Sequence, residues 1–74
     1  MSDGFRIDVA SPPDREKLVA EVFFDDEQIA EINQETAELQ IEIYPRPSGT
    51  PWVLSCGDFL AALNQAKQRL VGAR

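Results

Sequence analysis

The stretch Leu39-Gln-Ile-Glu-Ile-Tyr44 alternates strictly, with Leu39, Ile41 and Ile43 on one side and Gln40, Glu42 and Tyr44 on the other, until Pro45 removes an amide donor. A helix would turn Ile41 away from Leu39 and Ile43, whereas a strand lines all three along one face. The stretch therefore commits the chain to a sheet, and its half-polar character to an antiparallel one with a single face toward a core. We place it near the middle of that sheet.

Similar signals precede it. Phe5, Ile7 and Val9 alternate with Arg6 and Asp8 as a first strand, which Ser11-Pro-Pro-Asp14 breaks into a loop reaching Glu16. Lys17 to Phe24 reads as a second strand, with Leu18, Ala20, Val22 and Phe24 on one face and Val19, Glu21 and Phe23 on the other. Asp25-Asp26-Glu27 is a polar turn, and Gln28 to Gln34 returns as a third strand with Ala30 and Ile32 inward. Helix is the rival over residues 27–39, where Glu, Gln, Ala and Ile are acceptable helix formers. Glu35 to Glu38 makes the next turn, and after the stiff linker Arg46-Pro-Ser-Gly-Thr-Pro51, Trp52 to Leu54 adds a short last strand.

Ser55-Cys-Gly-Asp58 has the spacing of a capping box, and the apolar stripe Phe59, Ala62, Leu63, Ala66 and Leu70 follows at helical intervals. Lys67 and Arg69 sit near the negative end of the helix dipole, and Gly72 suits the position just past the last turn. The whole is an α+β domain, an antiparallel β-meander of four to five strands with one carboxy-terminal helix packed on one face. It occupies residues 1–74 as a single domain, with 1–4 and 73–74 as frayed ends. A chain of 74 residues buries only about 60% of its unfolded surface, so the core is small.

One face of the sheet is left without a helix, and turn lengths dictate what it carries. A three-residue turn at 25–27 pairs Phe23 with Ile29 and Glu21 with Glu31; a four-residue turn at 35–38 pairs Glu31 with Glu42 and Ile29 with Tyr44. A first hairpin closed between Ala10 and Lys17 pairs Arg6 with Glu21. The expected face thus bears a row Arg6, Glu21, Glu31, Glu42 beside a patch Phe23, Ile29, Tyr44, with Trp52 near. Such charges keep bare sheets from stacking, and the same arrangement also suits a basic, partly apolar partner surface or a homodimer seam. Three carboxylates on neighbouring rigid strands seldom converge on one ion, so no metal site is assigned.

Charge and composition narrow the function classes. Thirteen acidic residues against seven basic give a net charge of -6, which repels nucleic acid and anionic membranes. No stretch approaches the roughly 20 apolar residues that span a bilayer. With one cysteine, no histidine and no signal-like amino terminus, the default setting is a reducing cytoplasm. Cys56 at the helix start reads as a small, semi-buried structural residue, since nothing nearby would activate or resolve it. Tyr44-Pro-Arg-Pro-Ser-Gly-Thr-Pro-Trp52 sets a guanidinium between prolines and aromatics; it either shapes the crossing to the helix or recognises a peptide. Neither a catalytic constellation nor a cofactor signature is present.

Leu18-Val-Ala-Glu-Val-Phe, Ile41-Glu-Ile-Tyr-Pro-Arg, Pro51-Trp and Asp58-Phe-Leu-Ala-Ala-Leu with Ala66-Lys-Gln-Arg-Leu together resemble a group of short uncharacterised bacterial proteins, some similar to immunity proteins of polymorphic toxin systems. The resemblance runs over most of residues 17–71 and implies the meander-plus-helix fold and a bacterial cytoplasmic origin. It transfers no catalytic residue. The reading is a small acidic non-enzymatic protein-binding module, with partner-binding candidates Glu21, Glu31, Glu42, Phe23, Tyr44, Arg46 and Trp52. The alternatives are an immunity protein neutralising a basic toxin and a structural homo-oligomer subunit.

Overall fold

A computed structural model describes residues 4–73. Four strands, β1 (Phe5–Ala10), β2 (Val19–Phe24), β3 (Glu27–Asn33) and β4 (Gln40–Ile43), form an antiparallel meander in the order β1-β2-β3-β4, and α1 (Cys56–Ala73) packs on one face. This is the expected α+β architecture, and the third segment is a strand. The expected core residues Ile7, Ala20, Val22, Ala30 and Ile32 meet Ala66 and Leu70 of the helix. Phe5 joins the core edge by contacting Phe24 and Phe59, with ring centroids 4.9 Å and 6.0 Å apart.

Several expectations need correction. The turn after β2 has two residues rather than three, because Asp25 and Asp26 both adopt positive φ (48° and 67°), the geometry that matches strand twist. Phe23 therefore faces Gln28 rather than Ile29. A bulge restores the lost residue: Val22 pairs with Ala30, so Ile29 is extra, and it turns into the core at 1% exposure. Beyond the bulge Glu21 faces Glu31 as expected, and the β3–β4 register places Glu31 opposite Glu42. Ile29 and Tyr44 are joined through backbone, Tyr44 N donating to Ile29 O at 2.9 Å. The first hairpin slips by two residues, an even number that preserves faces, so Asp8 rather than Arg6 opposes Glu21.

No strand forms at Trp52 to Leu54. Trp52 and Leu54 instead pack against the core, and Trp52 Nε1 donates to Tyr44 O at 3.0 Å, so the segment is a lid held by side chains. The helix begins as read, with Asp58 N donating to Ser55 Oγ at 3.3 Å, but it continues through Gly72 to Ala73. Gly4 is not frayed either; its carbonyl accepts from Asp25 N at 3.0 Å. Residues 1–3 and 74, also read as ends, lie outside the described residues.

The largest correction concerns β4, which is an edge strand rather than a central one. Four strands about 4.8 Å apart span about 14 Å, and one helix about 10 Å across cannot cover them all. Phe59 against Phe5 and Arg69 Nη1 on Ile7 O at 2.6 Å pin both halves of α1 to β1, the opposite edge. The helix thus lies over β1 and β2, reaches β3, and leaves β4 bare.

Candidate functional site

The sheet face away from the helix is not the open acidic surface that charge alternation suggests. The β1–β2 loop folds across it as a strap. Glu35 holds the strap by accepting from the amides of Glu16 and Lys17 (3.3 and 3.2 Å), and Gln34 Nε2 donates to Leu18 O at 3.0 Å. This delivers Arg15, a residue the sequence reading passed over, onto the carboxylates of Glu31 (2.8 Å) and Glu42 (2.5 Å). Tyr44 Oη adds a 3.3 Å bond to Glu31, and Asn33 Nδ2 one of 3.5 Å.

Glu31 is consequently 5% exposed and offers no free charge to a partner. The Glu42 hydrogen bond is the first cause holding the Arg15 guanidinium above its ordinary range, with the charges of Glu31 and Glu42 adding to it against burial. Burial, then the same two carboxylates, pushes the Tyr44 phenol up. Val19, on this face, is wholly buried although it lies outside the core cluster.

The seven candidates therefore separate. Glu31, Glu42 and Tyr44 form one network under Arg15. Glu21 and Phe23 sit further along, where Asp8 opposes Glu21 and the Arg6 guanidinium lies 4.3 Å over the Phe23 ring. Burial first, then the charges of Asp8 and Glu31, raises the Glu21 carboxyl, with Arg6 opposing. Arg46 and Trp52 belong elsewhere: the guanidinium stacks 5.2 Å over the indole, donates to Pro51 O at 3.3 Å, and its Nε lies 3.3 Å from Glu27. The expected patch of Phe23, Ile29 and Tyr44 does not form, since the bulge sends Ile29 inward.

The unsatisfied apolar surface is on the other side. Beside β4 the helix leaves an open groove of about 580 Å³ lined by Ile32, Gln40 and Ile41 on the sheet, by Glu38 and Leu39 just before β4, and by Leu63, Asn64 and Lys67 on the helix. Ile41 and Ile43 are 43% and 60% exposed, and Leu60, one turn before Leu63 on the helix, is 59% exposed. Of the row that the sequence marks as core, Leu39 stays half-buried against the core, whereas Ile41 and Ile43 face solvent because no helix covers them. Cys56 is exposed rather than semi-buried as expected, because the helix meets the core only from Phe59 onward.

The edge itself is open. Because Tyr44 N points at β3, alternation turns the backbone N–H and C=O of Ile41 and Ile43 outward. At the opposite edge the outward carbonyl of Ile7 is already taken by Arg69, and Arg6 and Asp8 form an ion pair on that strand (3.3 Å). One edge is guarded in the way soluble sheets usually guard theirs, and the other is not.

No family model, curated protein or solved structure matches the chain. No helix among the described residues is long and apolar enough to cross a membrane.

Proposed function

We propose that the chain is a non-catalytic protein-binding module whose contact surface is the β4 edge with its adjoining groove. The observation that carries this is the coincidence, at one place, of outward backbone groups on Ile41 and Ile43, exposed apolar side chains of the same residues, and a groove beside them. An added strand gains main-chain hydrogen bonds from the edge and side-chain specificity from the groove. The acidic face, whose central carboxylates are consumed by Arg15, supports the domain and contributes long-range charge to association. A reducing cytoplasmic setting suits a chain with a lone exposed cysteine.

Selection of displayed random peptides on the immobilised domain tests this. Enriched peptides should alternate apolar and polar residues and perturb the amide resonances of Ile41, Ile43 and Leu63. Peptides that instead perturb Glu21 and Phe23, leaving β4 unchanged, would contradict it.

A further inference from the structure

We propose that the occupant of the β4 edge is β4 of a second copy of this chain, paired antiparallel about a two-fold axis through Ile41. This rests on the reading of β4 as the binding edge and names its partner. The strand is self-complementary in one register. A two-fold pair is isologous, so residue i opposes j and j opposes i, and opposed residues must share a face to keep the apolar rows together.

An axis through Glu42 sets that carboxylate against its own copy, and one through Gln40 sets Glu42 against Glu38. An axis through Ile43 brings Pro45, which has no amide to donate, opposite Ile41. The axis through Ile41 avoids all three. It sets Ile41 against Ile41, Ile43 against Leu39, and Glu42 against the neutral Gln40 of the second copy.

The backbone agrees with this register. Ile41 and Ile43 are the residues whose N–H and C=O point outward, so Ile41 and its copy form a hydrogen-bonded pair exchanging both bonds. The two meanders become one sheet of eight strands, twice the four of each copy. Leu39, Ile41 and Ile43 of each copy gain apolar cross-strand neighbours. The β1 edges, capped by Arg69, remain at the outside and stop further growth. With a net charge of -6 on each copy, added salt strengthens the dimer by screening their repulsion.

The test uses the whole chain and begins with sedimentation velocity across a wide concentration range. The wild type should dimerise, more tightly with salt. Ile41→Pro removes an outward amide without touching the β3–β4 ladder, so it should fold, as judged by circular dichroism, and lose association roughly ten- to a hundredfold.

Cross-linking reads the register independently. In a Cys56→Ser background, Ile41→Cys should form a disulfide dimer on mild oxidation, because hydrogen-bonded partners lie about 5.5 Å apart at Cα. Ile43→Cys should not, since four residues of strand offset it from its copy by about 13 Å. Preferential cross-linking at Ile43, or a dimer indifferent to Ile41→Pro, would overturn the proposal. So would a wild type that stays monomeric throughout, and if selected peptides then still perturb Ile41 and Ile43, the binding edge stands and only the second copy falls.

Discussion

Glu31 shows at the residue scale how a charge can be central to a fold without being available for binding. Its carboxylate is buried and meets Arg15, Tyr44 and Asn33, so truncating Arg15 leaves a buried charge without its main partner. Arg15→Met should lower the melting temperature by several degrees, and adding Glu31→Gln should recover much of the loss, because a neutral amide costs less to bury. Equal melting of Arg15→Met and wild type would show that the strap does not depend on this pair. Glu21 makes the opposite contribution. Its folded carboxyl titrates above the ordinary 4.5, so over that interval the folded state holds a proton that the unfolded chain has released. Stability must then fall as pH rises through the interval, and Glu21→Gln should be more stable than wild type at neutral pH, the difference shrinking as pH approaches 4.5. Urea denaturation at both ends reads the sign. The acidic residues were legible from alternation, whereas Arg15 lay in a proline-broken loop whose lack of periodicity gave no sign of where its side chain would land.

At the scale of elements, faces were easier to read than positions. Period-two patterning assigned the face of each strand correctly, except at Ile29, where a turn one residue shorter than expected is offset by a bulge. The sequence signal for that turn was Asp25-Asp26, a pair compatible with positive φ but less specific than Asn-Gly. Asp26→Gly should therefore stabilise the hairpin by about 0.5–1 kcal/mol, since glycine relieves left-handed strain. A chemical denaturation series measures this, and a destabilised variant would mean that the 3.6 Å ion pair of Asp26 with Arg6 outweighs the backbone term. The helix was legible in its cap and stripe because both signals are local. The absence of a last strand was not, since Trp52-Val-Leu54 has strand-like residues whose fate is decided by packing and by one indole hydrogen bond.

At the scale of the whole molecule, alternation reveals which way Leu39, Ile41 and Ile43 face but not whether anything covers them. That depends on where the single helix lies, and contacts far apart in sequence, Phe59 with Phe5 and Arg69 with Ile7, pull it to the opposite edge. Exposed Ile41 and Ile43 on β4 are the consequence, and they are the reason we propose the far side of the sheet rather than the acidic face as the binding surface. Amide hydrogen exchange on the free chain, at concentrations low enough to keep it monomeric, reads whether the β4 edge is open. Exchange should be fast at Ile41 and Ile43, whose amides point outward, and slow at Glu42 and Tyr44, whose amides bond to β3. Protection of Ile41 and Ile43 equal to that of their neighbours would mean that the edge is already covered and that β4 is not free to bind a further strand.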